Sequence, residues 1–173
     1  EGLTLLTAKP VLYVANVDEA SAATGNAHSQ RVAELAAAEG AGVVVIAAEI
    51  EAEIAQLPED EQREFLATVG LDEPGLDRLI RAGYALLGLI PFFTAGPKEV
   101  RAWTIRRGPR APQAAGTIHT DFEKGFIRAQ TIAYDDYIKL GGEQAARDAG
   151  RARDEGKDYV VADGDVLLFK FNV

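Results

Sequence analysis

The residues with the most chemical content are Asn16-Val17-Asp18-Glu19, an amide and two carboxylates that follow directly on the apolar run from Pro10. Open parallel sheets bind ligands at the carboxyl ends of their strands. An amide placed there can read the edge of a purine, and a carboxylate three residues on can accept N–H donors from the same ring. A second apolar run, Gly42 to Ala48, ends in Ala47-Ala48-Glu49. Small residues at that turn would let the backbone come close to a planar ring. The plainer alternative is a strand-end turn in which Asn16 only caps a loop.

GTP-binding P-loop proteins carry Asn-Lys-x-Asp at such a strand end, where the Asp accepts the two N–H donors that only guanine presents. Here Val17 stands at the Lys position and Glu19 at the Asp position. A site that no longer pairs both donors leaves them desolvated, which penalises guanine more than adenine. The expected ligand is therefore ATP, with GTP as the weaker alternative.

Other constellations are weaker. Lys98, Arg101, Arg106, Arg107 and Arg110 form the densest basic group, interleaved with Trp103 and Thr104. They suit either phosphates and bases of RNA or a solvated edge that blocks strand-to-strand aggregation. His119 and Asp121 read as a loop histidine beside a carboxylate, and Asp135-Asp136 as a turn. No Gly-x-x-x-x-Gly-Lys-Ser/Thr cradle occurs, so no catalytic residue is assigned. The chain alone is expected to hydrolyse nothing, with any Mg²⁺ site lying in sequence upstream of Glu1.

The elements that must position these groups fall into two sets. In the first, the runs Pro10–Asn16 and Gly42–Ala48 read as buried strands around an Ala-rich helix, His28–Glu39, which makes a βαβ unit with a parallel sheet. Helices follow at Pro58–Val69 and Pro74–Leu87. In the second, Phe92–Thr94 and Val100–Ile105 read as a strand pair around Gly96-Pro97, and Phe126–Ala133 as a further strand. Short helices are expected at Asp135–Leu140 and Glu143–Ala149. Tyr159–Val161 and Val166–Phe171 are expected to form a hairpin about Asp163-Gly164-Asp165. The fold class is thus α/β followed by α+β in a grasp-like arrangement.

Charge divides the chain at the same place. Residues 1–88 hold 5 Lys/Arg against 15 Asp/Glu, whereas residues 89–173 hold 13 against 12. The acidic first half repels phosphate backbones, so nucleic-acid contact is expected only from the second. The 173 residues include no Cys and two His, which excludes disulfides, thiol catalysis and thiolate zinc sites. No apolar run reaches the roughly 18 residues of a membrane span, so a soluble, cytoplasmic protein is expected. With no Met anywhere and an abrupt apolar start, the chain reads as a piece of something longer.

Several blocks together resemble the carboxy-terminal half of the YchF, or Obg-like, ATPase family. They are Lys9–Glu19, Gly75–Arg81, Phe92–Ile105, Thr117–Ile127, Asp163–Val166 and Phe169–Val173. The resemblance implies that residues 1–89 are the end of a G-domain-like P-loop NTPase lobe and that 90–173 form a TGS domain, a ubiquitin-like β-grasp. It implies that Asn16, Val17 and Glu19 match the family's adenine-selective Asn-x-x-Glu, with Val17 packing on the base. Ala47, Ala48 and Glu49 stand where the family often has Ser-Ala-Lys. Implied partners are a purine nucleotide and, through the second domain, the ribosome, RNA or a protein. The other reading is a non-catalytic RNA- or ribosome-binding or structural module.

Overall fold

A computed structural model describes residues 5–96 and 99–172. It divides into two compact units, Glu1–Leu87 and Gly88–Val173. No helix among the described residues is long and apolar enough to cross a membrane.

In the first unit, strand β1 (Leu12–Asn16) leads through a 3-10 turn, Glu19–Ser21, into helix α1 (Ala27–Glu39) and strand β2 (Gly42–Ile46). The strands pair in parallel, from Leu12 opposite Gly42 to Asn16 opposite Ile46. Helix α1 starts where Asn26 accepts from the amides of His28 and Ser29, and it stops at Gly40 in the left-handed region, φ 67°. Three helices follow, α2 (Ala48–Ile54), α3 (Glu59–Thr68) and α4 (Gly75–Leu87). The second strand ends two residues earlier than its apolar composition suggests, because Ala48 already opens α2. Ala22, Ala47, Ile50, Ile54, Leu66 and Leu71 form the buried cluster beneath these helices.

The second unit begins with the antiparallel pair β3 (Leu89–Ala95) and β4 (Val100–Arg106), in register from Leu89 with Arg106 to Ala95 with Val100. Then come α5 (Ala111–Ile118), α6 (Thr120–Lys124), β5 (Phe126–Ile132), α7 (Tyr134–Leu140), α8 (Glu143–Asp148), β6 (Arg153–Glu155) and β7 (Val166–Phe171). The strands order as β4-β3-β7-β5-β6. Strand β7 lies between β3, to which it is parallel, and β5, to which it is antiparallel.

Alternation along the strands gives this sheet two apolar faces. Ile90, Phe92, Ile105, Phe126, Leu167 and Phe169 meet the fully buried alanines 111, 114 and 115 of α5 on one side. Phe93, Ile132 and Val166 meet Tyr137 and Ala146 on the other. Phe92 is 0% exposed, and a side chain of that size contributes roughly 2–3 kcal/mol by burial.

The expected hairpin between Tyr159–Val161 and β7 does not form. Val160 makes only an isolated bridge with Arg110, and β7 pairs elsewhere. The reason is Asp165, 3% exposed, whose carboxylate accepts from Tyr159 Oη at 2.7 Å and from the Ala162 amide at 2.9 Å. That local turn folds the segment back on itself and releases β7 into the sheet.

Candidate functional site

At the carboxyl ends of β1 and β2 the two strand-end loops meet through one side chain. Asn16 Oδ1 accepts a hydrogen bond from the Ala48 amide at 3.0 Å. Helix α2 has no side-chain cap of its own, since its N-cap residue is Ala47, and Asn16 supplies that service from the neighbouring strand. With the carbonyl oxygen so engaged, the NH₂ of the same amide is the part left to donate outward. The Val17 amide donates to the Ile46 carbonyl at 2.8 Å, tying the loops together a second time.

Around this junction Ala47 is 4% exposed and belongs to the core, while Asn16, Ala48 and Glu49 are exposed. Val17 is half-buried, and its side chain leans on the cluster that holds Ala47 and Ile50. Asp18 caps the following turn by accepting from the Ser21 amide at 3.0 Å. Glu19 is exposed, and its carboxylate has no hydrogen-bonding or ion-pairing partner among the described residues. The structure thus brings Asn16, Val17, Ala47 and Ala48 together, with Glu19 and Glu49 reaching into solvent from the flanking turns.

Two residues that pattern reading passed over hold this junction in place. Glu51 accepts from the amides of Gly75 and Leu76 at 2.7 and 3.1 Å and so caps α4. Arg78 reaches from α4 to the Val45 carbonyl on β2 at 3.2 Å. The acidic first-turn residues nearby gave no hint of either contact, because both partners are remote in sequence.

The basic group of the second unit is not one patch. Arg101 lies over the Trp103 ring, 4.2 Å from its centroid, and 3.8 Å from Glu99. Arg106, five residues on, projects from the opposite face of β4. Arg107 lies 3.9 Å from Asp163, and Arg110 pairs with Asp158. Arg106 is the member without a carboxylate partner among the described residues, and Lys98 lies outside them. His119 Nδ1 accepts from the Asp121 amide at 3.2 Å, so it caps α6. No group of three or more His, Cys, Asp or Glu among the described residues could hold a metal ion.

Comparisons with known proteins agree with one another. The family model "YchF-GTPase_C: Protein of unknown function (DUF933)" matches residues 89–172. "Ribosome-binding ATPase YchF" of Escherichia coli O157:H7 is 58% identical over 171 residues, which cover 99% of this chain and 47% of that protein. "Obg-like ATPase 1" of Rattus norvegicus is 44% identical over 171 residues, 97% of this chain and 43% of the relative. Among solved structures, the Schizosaccharomyces pombe YchF GTPase superposes with a TM-score of 0.80 at 37% identity, over 96% of this chain and 44% of that one. The chain spans about half the length of the curated relatives it matches.

Proposed function

The chain belongs to the YchF and Obg-like ATPase family, and from that premise we propose that its first unit supplies the base-reading part of an ATP site. The carrying observation is the hydrogen bond from the Ala48 amide to Asn16 Oδ1. It fixes two loops at the ends of adjacent parallel strands and leaves the Asn16 NH₂ to donate to a ring nitrogen of the purine. Val17 offers an apolar edge to the base, and the small, exposed Ala48 leaves room for its plane. Glu19, longer than the Asp that guanine selection uses, tilts the preference from GTP to ATP.

These residues suit a base and not a triphosphate. The sequence has no phosphate cradle, so phosphates and Mg²⁺ are assigned to none of the residues here. Bound triphosphate and Mg²⁺ would supply most of the affinity and the chemistry; Asn16, Val17, Glu19 and the Ala47–Glu49 loop orient the base. Equilibrium titration with ATP and GTP on a protein extended to the family's full length tests this reading. ATP should bind more tightly than GTP, and equal affinity or no binding rejects it.

For the second unit we propose a TGS domain of the ubiquitin-like β-grasp type that contacts the ribosome, in keeping with a cytoplasmic protein. The β4-β3-β7-β5-β6 order with α5 packed across one face supports that fold assignment. Arg101 stacked on Trp103, and Arg106, which has no carboxylate partner among the described residues, favour RNA as one contact. Salt-dependent RNA binding should weaken when Arg106 and Arg107 are changed to Glu; unchanged binding removes RNA from the proposal and leaves a protein contact or a bracing role.

A further inference from the structure

The second unit carries a groove of about 410 Å³ that neither reading uses. Pro91 and Phe93 of β3 form its floor, Tyr134 its wall, and Asp135, Asp163 and Gly164 its rim. The Tyr134 ring stands 5.6 Å from that of Phe93 at 34°, yet 48% of the residue remains exposed. An aromatic face is therefore held in place by packing while still open to solvent. Gly164 has φ +81°, and a Cβ there would sit 3.3 Å from Tyr134 Cβ. Glycine at this point keeps the rim from crowding the ring.

Charge selects what such a groove takes. The Asp135 carboxylate has no ion-pairing or hydrogen-bonding partner among the described residues. Asp163 has Arg107 at 3.9 Å, with side chains 55% and 67% exposed, a contact too loose and wet to neutralise it. Two carboxylates thus lie beside the exposed Tyr134 ring and the half-buried Phe93, with Arg107 loosely held at Asp163. A ring face attracts a cation through its quadrupole. A guanidinium adds to this, because it stacks as a plane and pairs with carboxylates through a fork of N–H donors. A phosphate backbone is repelled by Asp135 and Asp163 and finds Arg107 as its one nearby cation among the described residues.

We propose that this groove docks an arginine side chain from a basic segment of a protein partner. The guanidinium stacks on Tyr134, pairs with Asp135 and displaces Arg107 from Asp163. The proposal is independent of the nucleotide reading, since every residue it uses belongs to the second unit.

The test is an amide NMR titration of the whole 173-residue chain with the blocked peptide Gly-Arg-Gly-Arg-Gly and with the same peptide carrying neutral citrulline for arginine. Shifts are expected at Phe93, Tyr134, Asp135 and Gly164, with affinity falling about tenfold for the citrulline peptide. Asp135→Asn with Asp163→Asn should weaken the arginine peptide to a similar degree, and Tyr134→Leu by about threefold. Shifts confined to the acidic helices α2 and α3 would mean unspecific attraction and overturn the proposal. Equal binding of the two peptides, or displacement of the peptide from these amides by a short RNA, would overturn it as well. The citrulline comparison uses the unaltered chain, so it decides the matter even if a variant fails to fold.

Discussion

Glu51 Oε1 lies 2.7 Å from the Gly75 amide nitrogen and occupies the space that a β-carbon on Gly75 would need, since that carbon would also fall 2.7 Å from it. The carboxylate and the absent side chain are one device: only glycine lets the cap approach the first turn of α4. Gly75→Ala and Glu51→Ala should each cost about 1–2 kcal/mol in urea unfolding. Their effects should fall short of additive in the double variant, because alanine at 75 no longer meets the carboxylate.

Asn16 separates structure from ligand reading. Asn16→Asp retains an acceptor for the Ala48 amide and loses the outward NH₂, whereas Asn16→Ala loses both. Thermal unfolding should leave the Asp variant close to the parent and the Ala variant destabilised by about 1 kcal/mol. ATP affinity in the full-length context should fall in both. If the Asp variant binds ATP like the parent, the amide has no part in reading the base.

Gly125 faces the sheet's far end under a harder constraint. A Cβ there would lie 1.8 Å from the Asn172 carbonyl oxygen, and the Asn172 amide donates back to the Gly125 carbonyl at 2.9 Å. Backbone cannot swing aside as a side chain can. Gly125→Ala should destabilise the second unit by about 3 kcal/mol, read as loss of Trp103 fluorescence at lower denaturant, while the unfolding of the first unit is unchanged.

Alkaline pH should unfold the second unit through Tyr159. Burial first, then its hydrogen bond to Asp165 and that carboxylate's charge, push the phenol from 10.0 up to about 12. The folded chain therefore keeps this proton where the unfolded chain has lost it. The stabilisation is complete below pH 10 and disappears as pH rises toward about 12. Tyr159→Phe should flatten that limb of the stability curve, followed by phenolate absorbance together with circular dichroism.

The sequence disclosed the elements whose signals are local. Pro10–Asn16 reads as a strand and forms one from Leu12 to Asn16, though half-buried or exposed rather than buried as its apolar run suggests, and Gly40 marks the end of α1. It concealed those whose cause is remote. Helix α5 hides in Ala111-Pro-Gln-Ala-Ala-Gly-Thr-Ile118, a stretch whose one large apolar residue is Ile118, because its contribution to packing is mainly smallness: three alanines at 0% exposure let it lie close on the sheet. Strand β6 is Arg-Asp-Glu, polar since it is an outer strand, and it pairs with β5 from Ala129 to Thr131. In the candidate site, the residue types at Asn16 and Glu19 stood out, but the cap on Ala48 and the Glu51 contact depend on helices brought together by tertiary folding. The five cations looked like one patch because they are near in sequence; strand alternation sends Arg101 and Arg106 to opposite sides.

The central position of β7 also has a kinetic meaning. Its pairing partner β3 lies at the other end of the unit's sequence, Phe93 against Val166, so closing the middle of the sheet requires the largest loop closure in that unit. During synthesis, β4-β3 and β5-β6 wait as two separate antiparallel pairs with a gap between them. The second unit is thus completed late and all at once, and until then its open strand edges are what a chaperone or a misfolding partner would find.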